Sequence, residues 1–231
     1  MKILLIKTQP RMKKNNGALS QSMRPVAGSL IVVHRLGMTT FYLIRHATND
    51  TIGRTIAGRA PEISLNAEGR QQAEQLAKRL AKERINIIAS SPLERAVETA
   101  VPLAKRLDLD VQITDAFTEL DYGDWTKQKL EQLDTVPKWQ QWNSFRSGHR
   151  IPNGEMMVEV QARMIAEIQR LRIQYPEQGI AIFSHGDPIR AVLAYYMGVP
   201  LDLFTRIEID PASVSIILLN EYAPKILCVN R

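Results

Sequence analysis

Two histidines each stand one residue after a short apolar stretch of this 231-residue chain. Apolar residues 41–44 precede Arg45 and His46, and apolar residues 179–183 end two positions before His185. An imidazole can act as a nucleophile or a base, and the guanidinium of Arg45 can bind an anion beside it. These residue types therefore suit chemistry on an anion. Taken alone, the Arg45-His46 pair favours the simpler interpretation of a surface pair after a core strand.

The residues that follow His185 support an anion-binding role for this second histidine. Asp187 suits an N-cap and Pro188 the first turn of a helix that runs to Met197. The free N–H groups at a helix amino terminus favour phosphate or carboxylate. Because strands of an open α/β sheet bind ligands at their carboxyl ends, we expect His46 and His185 to converge on one anion.

Three further arginines could bind the rest of an anionic substrate. Arg54 and Arg59 lie in the loop after the first histidine, although a solvated basic loop explains each of them about as well. Arg95 follows Pro92, which predicts a place in the first turn of a helix, where a guanidinium can bind phosphate oxygens. The alternative for Arg95 is a surface pair with Glu98.

The segment around residue 120 carries carboxyl groups beside aromatic rings. Glu119, Asp121 and Asp124 lie between Phe117 and Trp125. A carboxyl that such neighbours partly desolvate has a raised pKa, as a general acid at neutral pH requires. Spacing alone does not choose among the three acids.

Strands and helices must position these groups. Apolar runs predict strands at 41–44, 85–89, 111–113, 179–183, 206–209 and 213–219. Caps and apolar periodicity predict helices after Asn66, from Pro92, over 126–147, from Glu155, and after His185 to Met197. Within 126–147, Trp139, Trp142 and Phe145 form a stripe at three-residue spacing that we interpret as packing.

The composition is that of an ordinary globular protein, with 45% hydrophobic and 23% charged residues. The length favours one domain with a sizeable core. The single cysteine, Cys228, excludes an internal disulfide framework and predicts a reducing, cytoplasmic location. Its apolar neighbours predict a buried small hydrophobe rather than a reactive thiol. Since no apolar run reaches the ~20 residues that cross a bilayer, we expect no membrane association.

The net charge of +6 is concentrated at the amino terminus. Residues 1–37 carry seven lysines and arginines and no acid, which leaves a net charge of −1 on residues 38–231. We interpret 1–37 as a basic leader that is a disordered tail, a targeting segment or sequence upstream of the true start. Salt-sensitive nucleic-acid binding through the leader is a rival interpretation, and none is expected for the domain 38–231.

Five motifs together match a known family. They are Arg45-His46-Ala47-Thr48, Ser91-Pro92-Leu93-Glu94-Arg95-Ala96, Glu119 followed by Leu-Asp-Tyr-Gly-Asp-Trp, Pro152-Asn153-Gly154-Glu155 and Ser184-His185-Gly186. In order and spacing, residues 40–219 resemble the histidine phosphatase superfamily, the phosphoglycerate mutase-like proteins. Any one motif is weak, whereas five in register are a strong signal.

The resemblance implies a fold, a reaction and a set of roles. The implied fold is α/β, a three-layer α/β/α sandwich with a mostly parallel central sheet. The implied reaction passes through a phosphohistidine and uses neither a metal nor a cofactor. Carried over residue by residue, the resemblance makes His46 the nucleophile and Glu119 the proton donor. Arg45, Arg95 and His185 then form the phosphate pocket, and His185 is also a catalytic residue.

Two departures from the family pattern limit what carries over. Ala47 stands where the family commonly has glycine, and it should be tolerated if the local φ is not positive. The family often has a phosphate-contacting asparagine several residues later, and that register holds Thr51-Ile52 here. Asn49 or Arg54 could take this role, and we assign neither. Both, together with Arg59, stay possible substrate-binding residues.

The expected function is hydrolysis of a small phosphorylated metabolite by a monomer or a dimer. A phosphoglycerate mutase would need lid segments that keep water from the phosphohistidine. Only 66 positions separate Glu119 from His185, and only 12 residues follow the last predicted strand. We therefore prefer hydrolysis, with mutase-type phosphoryl transfer and non-catalytic phosphate binding as the alternatives.

Overall fold

The computed structural model describes residues 37–231, so the predictions for residues 1–36 of the leader lie outside the described residues. The strands are β1 (Thr39–Arg45), β2 (Ile87–Ser90), β3 (Val111–Ile113), β4 (Gly179–Ser184), β5 (Val214–Leu219) and β6 (Pro224–Cys228). They form one sheet in the order β3-β2-β4-β1-β5-β6. The first four strands in this order are parallel, whereas β1 with β5 and β5 with β6 pair antiparallel.

Helices cover both faces of this sheet. They are α1 (Ala67–Leu80), α2 (Glu94–Leu107), α3 (Leu130–Leu133), α4 (Pro137–Ser144), α5 (Met157–Gln174) and α6 (Gly186–Met197). Successive residues of a strand point to opposite faces. Tyr42 and Ile44 of β1 therefore pack with α1 and α2, while Phe41 and Leu43 pack with α5 and α6. The arrangement confirms the three-layer α/β/α sandwich that the resemblance implies.

The prediction of one helix over 126–147 is wrong. Two short helices, α3 and α4, occupy the region, and α4 begins at Pro137. Proline lacks an amide hydrogen and clashes with a preceding helical turn, so a continuous helix must break there. Trp139 and Trp142 are buried as predicted, but Phe145 is 50% exposed and lies outside the core.

The carboxyl-terminal region needs two more corrections. Residues 206–209 form no strand, because a 3-10 helix, Leu201–Arg206, leads into irregular structure. The carbonyl oxygens of Ile207 and Ile209 accept hydrogen bonds from arginine side chains instead of from a strand. Strand β6 is absent from the sequence prediction because its proline and lysine are untypical of strands. Cys228 at its end is half-buried rather than fully buried.

Helices α2, α5 and α6 begin within two residues of their predicted starts. Pro92 stands before α2, and Glu155 stands before α5 rather than inside it. His185, not Asp187, is the N-cap of α6, so Asp187 lies in the first turn. Residues 37–231 contain no helix long and apolar enough to cross a membrane. They also contain no group of three or more His, Cys, Asp or Glu side chains that could hold a metal ion.

Candidate active site

The carboxyl ends of neighbouring parallel strands bring the site together. Arg45 ends β1 in register with Ser184 of β4, so His46 and His185 follow adjacent strands. β2 lies on the other side of β4 and ends just before Ser91. The two imidazole rings have their centroids 5.2 Å apart. The structure thus brings both strand-end histidines to one place.

His46 lines a cavity with one ring nitrogen free. Its Nδ1 lies 2.8 Å from the carbonyl oxygen of Ala47, and because a carbonyl only accepts, Nδ1 carries the hydrogen and Nε2 the lone pair. Burial, and then the charge of Arg95, lower the pKa of His46 well below its ordinary value, so the ring is neutral near pH 7. Ala47 has no positive φ, and its amide donates to Thr99 Oγ1 at 3.0 Å. Alanine therefore fits at this position.

Two arginines, the buried Arg95 and the partly buried Arg45, line the same cavity. Arg95, only 1% exposed, donates from Nη2 to the carbonyl of Gly58 at 2.8 Å. Arg45 donates from Nη1 to the carbonyl of Ile209 at 2.6 Å. Within residues 37–231, Arg95 Nε and Nη1 and Arg45 Nε have no hydrogen-bond partner. Burial lowers the pKa of both arginines, yet a guanidinium stays protonated near neutrality. Buried donors of this kind need an acceptor, and a phosphate supplies several.

Asn49 offers a further donor to the cavity. Its Oδ1 accepts from the amide and the hydroxyl of Thr51 at 3.0 and 2.6 Å. Its buried Nδ2 has no partner in the described part of the chain. Asn49, Thr51 and Ile52 all line the cavity, whereas Arg54 is exposed and does not. Of the two candidates for the family's asparagine role, Asn49 is therefore the better placed.

Glu119 brings a carboxyl group to the cavity. Its Oε1 accepts from the amide of Leu120 at 2.8 Å, and its Oε2 lies 4.0 Å from Nδ1 of His185. Burial, and then the negative charge of Asp187, raise the pKa of Glu119 to about 7 against the opposing charges of the two arginines. The carboxyl can therefore give or take a proton near neutral pH. The other two acids of this segment do not line the cavity.

His185 is fully buried between the strand ends. Its Nε2 lies 2.8 Å from Ser91 Oγ. Burial, and then the charge of Arg95, lower the pKa of His185 well below its ordinary value. The ring is therefore neutral near pH 7, and the positive charge around the cavity comes from the arginines.

The cavity has a volume of about 260 Å³ and two chemically different walls. The polar wall carries His46, Asn49, Arg45, Arg95 and Glu119, whereas the fully buried His185 is not among the lining residues. The other wall is apolar and includes Ile52, Ile56 and Leu130. Backbone hydrogen bonds from Ile56 to Gln128 and from Leu130 to Arg54 join the loop that carries Ile52 and Ile56 to the segment that begins α3.

Arg59 does not line the cavity, so the structure places it away from a substrate-binding position. Its Nε donates to the backbone carbonyl of Glu119 at 2.9 Å, and its Nη2 pairs with Oε2 of Glu155 at 2.8 Å. Arg59 therefore contacts the backbone that carries the acid.

Sequence reasoning missed a charged cluster around Asp187. Asp187 accepts from Tyr122 at 2.8 Å, from Arg146 at 3.2 Å and from Arg190 at 2.9 Å. Burial alone would raise the pKa of Asp187, but the charges of the two arginines outweigh it and hold the pKa below its ordinary value. Tyr122, Asp187 and Arg190 line the cavity. The three-residue spacing of Asp187 and Arg190 on α6 is the one local signal for this cluster.

Comparison with known proteins decides the family. The family model described as "Histidine phosphatase superfamily (branch 1)" matches residues 41–231. This chain belongs to the histidine phosphatase superfamily. The resemblance carried by the five motifs is therefore confirmed, and the chain is an enzyme of the histidine phosphatase class.

Relatives within this superfamily differ in their reactions. Phosphoserine phosphatase 1 of Hydrogenobacter thermophilus is 30% identical over 197 residues, covering 84% of this chain and 92% of that protein. A "probable phosphoglycerate mutase" of Proteus mirabilis is 32% identical over 184 residues, covering 77% and 84%. The solved structure of the alpha-ribazole phosphatase of Shigella flexneri aligns with a TM-score of 0.74 at 27% identity, covering 83% and 96%.

Proposed function

We propose that this histidine phosphatase hydrolyses a small phosphomonoester through a phosphohistidine on His46. The observation that carries the proposal is the neutral His46 ring, which keeps a lone pair on Nε2 and lines one cavity with Arg45 and Arg95, both of which have N–H groups without a partner among the described residues. Glu119 adds a carboxyl with a pKa of about 7. Phosphoryl transfer requires these parts: a nucleophile in line, positive charge on the equatorial oxygens and a proton donor.

In the first step, Nε2 of His46 forms a bond to phosphorus as the bond to the leaving oxygen breaks. The N–H groups of Arg45, Arg95 and Asn49 bind the phosphoryl oxygens. The protonated Glu119 carboxyl gives its hydrogen to the departing oxygen, so the product leaves as an alcohol. The Nδ1–H of His46 stays on the Ala47 carbonyl and stabilises the positive charge of the phosphohistidine.

In the second step, water attacks phosphorus and the bond to Nε2 of His46 breaks. Glu119, now a carboxylate, takes a proton from that water. Inorganic phosphate leaves, His46 returns to its neutral form and Glu119 is again protonated. The steps as written use no metal and no cofactor.

The first test replaces the nucleophile. His46→Ala should lower the turnover of p-nitrophenyl phosphate at least ~10³-fold and abolish acid-labile phosphohistidine labelling. His149→Ala is the matched control, because that histidine is exposed and packs against Phe145 away from the cavity. Acid-labile labelling retained in His46→Ala would contradict the assignment.

The proposed substrate is a small phosphorylated metabolite, met in the cytoplasm by a monomer or a dimer. A cavity of about 260 Å³ suits a ligand of that size, and the relatives' names include small phosphomonoesters such as phosphoserine. The relative named as a phosphoglycerate mutase supports a second candidate, mutase-type transfer of the phosphoryl group to a second substrate instead of to water. A non-catalytic phosphate-binding protein would show a higher melting temperature in the presence of phosphate. It would not hydrolyse p-nitrophenyl phosphate.

A further inference from the structure

The motif Pro152-Asn153-Gly154-Glu155 has no role in the steps above. It forms a turn that packs against residues 121–124, which follow the acid Glu119. The amide of Glu155 donates to the carbonyl of Asp121 at 3.0 Å, and the amide of Asp124 donates to the carbonyl of Pro152 at 3.0 Å. The turn and the acid-bearing segment are therefore joined backbone to backbone.

The Glu155 carboxylate sits at the centre of a group of charges. Its Oε2 accepts from the amide of Asp121 at 3.1 Å and pairs with Arg59 Nη2 at 2.8 Å. Its Oε1 pairs with Arg163 Nε at 3.2 Å. Burial alone would raise the pKa of Glu155, but hydrogen bonding and charge from Arg163, with the Asp121 amide and the charge of Arg59, lower it. Glu155 therefore stays ionised between the two arginines.

Both arginines also reach the backbone that carries the acid. Arg59 Nε and Arg163 Nη2 donate to the carbonyl oxygen of Glu119 at 2.9 and 3.1 Å. Arg163 Nη1 donates to the carbonyl of Ala116 at 2.7 Å. One carbonyl held by two guanidinium groups leaves the Glu119 backbone little freedom to shift. Because Glu155 holds both guanidinium groups, it fixes their orientation as well.

The same contacts link the acid to the phosphate-binding arginine. Gly58, the residue before Arg59, accepts from Arg95 Nη2 at 2.8 Å. Adjacent residues thus bind Arg95 and the backbone of Glu119. A general acid must lie within about 2.6–3.2 Å of the oxygen that it protonates, and a displacement of 1 Å is costly. The linkage fixes the acid relative to a phosphate held by Arg95.

We propose that Arg59, Glu155 and Arg163 form an acid clamp, a set of positioning residues that hold Glu119 at the leaving oxygen. The acid clamp rests on the proposed function, since it positions the proton donor of that reaction. It gives the Pro-Asn-Gly-Glu motif a catalytic consequence without contact to the substrate. It also gives Arg59 a role in place of substrate binding.

The test uses two substrates that differ in their need for a proton. The nitrophenolate of p-nitrophenyl phosphate leaves without protonation, whereas the alkoxide of glycerol 2-phosphate requires it. The measured quantity is kcat/KM, which covers the steps through the first phosphoryl transfer. In Glu155→Gln we expect kcat/KM to fall ~10–100-fold for glycerol 2-phosphate and less than about threefold for p-nitrophenyl phosphate. Glu119→Gln, the reference, should show the same selectivity with a larger loss.

Matched variants separate positioning from damage to the fold. Glu167→Gln makes the same change on α5 in an ion pair with Arg170, and both rates should stay at the wild-type level. Arg163→Lys keeps the charge but loses the fork that reaches two carbonyls, so it should repeat the selective loss. Equal losses on both substrates in Glu155→Gln and Arg163→Lys would overturn the acid clamp.

The two proposals fail in different ways. A wild-type protein that hydrolyses neither substrate would refute the proposed function and the acid clamp with it. A non-selective loss in Glu119→Gln would remove the proton-donor role of Glu119 and the acid clamp with it, while the phosphohistidine on His46 would stand on its own test. A selective loss in Glu119→Gln beside unchanged rates in Glu155→Gln would overturn the acid clamp alone.

Discussion

At the scale of single residues, the site contains two carboxyl groups, the partly buried Glu119 and the buried Asp187, whose pKa values are shifted in opposite directions. Glu119 has a pKa of about 7, raised by burial and by the charge of Asp187, whereas the arginines around Asp187 keep that acid ionised. Environments that shift the pKa values of two neighbouring carboxyl groups in opposite directions are a common way to provide a proton donor at neutral pH. We therefore expect Asp187 to influence the proposed reaction through the protonation of Glu119.

A pH profile tests this coupling. Because the proposed mechanism uses Glu119 in its protonated form, kcat/KM for glycerol 2-phosphate should fall as the pH rises through about 7. Asp187→Asn removes a negative charge that helps Glu119 keep its proton, so the falling limb should move to lower pH by about 1 unit. Tyr122→Phe is the control, since it leaves the charge of Asp187 in place and should not move the limb. An equal shift in both variants, or none in Asp187→Asn, would show that the charge has no such effect.

Single residues also mark where sequence prediction stops. Arg45, His46 and His185 follow apolar runs, so their convergence could be expected from strand ends alone. Asp187 looked like an N-cap because it precedes a proline, yet its partner Arg146 lies 41 positions away and gives no local signal. The orientation of Arg59 likewise depends on Glu155, which lies far along the chain. Residue spacing within one segment cannot predict contacts between segments.

At the scale of elements, the turn before α5 holds the acid segment by close backbone packing. A Cβ on Gly154 would lie 2.3 Å from the carbonyl oxygen of Asp121 and 3.0 Å from the amide nitrogen of Gly123. Gly123 itself has φ +45° and faces the carbonyl of Pro152. Glycine at these two positions allows the turn and the acid segment to touch.

Gly154→Ala should therefore destabilise the protein. The new methyl group would meet backbone atoms that cannot rotate away, which costs about 1–3 kcal/mol of unfolding free energy. For a chain of this size that lowers Tm by roughly 2–4 °C per kcal/mol in a thermal melt. In the control Gly148→Ala, the methyl group would meet only the exposed ring of Phe145, which can turn aside, so we expect a change within about 0.5 kcal/mol. Similar melting temperatures for the two variants would mean that the turn has room for a side chain.

Elements with strong apolar periodicity were predicted well, and those set by tertiary contacts were not. Both central strands, β1 and β4, are buried apolar runs, and Asn66 caps α1 through the amide of Gly69 at 2.9 Å. Residues 206–209 alternate charged and apolar side chains as a half-buried strand does, but arginine side chains donate to two of their carbonyl oxygens. The edge strand β6 forms on β5 despite its weak sequence signal.

At the scale of the whole molecule, the path of the chain decides whether the phosphoryl group reaches water. A mutase must shield its phosphohistidine and return the group to a second substrate. The stretch between Glu119 and His185 is used by α3, α4, α5 and the turn before α5. Residues 220–231 contain β6, which lies at the edge of the sheet, two strands away from β1. The backbone of Arg231 forms hydrogen bonds with the backbone of Val214. Within residues 37–231, nothing beyond Arg190 lines the cavity.

Because the described residues after Arg190 do not line the cavity, we expect water to reach the phosphohistidine and hydrolysis to dominate. With 3-phosphoglycerate and a catalytic amount of 2,3-bisphosphoglycerate, the release of inorganic phosphate should exceed the formation of 2-phosphoglycerate. Both products are measured in the same reaction, and His46→Ala should abolish both, which ties them to one site. Isomer formation far faster than phosphate release would make the protein a mutase. Water would then have to be excluded by the loop that carries Ile56 and by the start of α3 at Leu130, since both line the cavity.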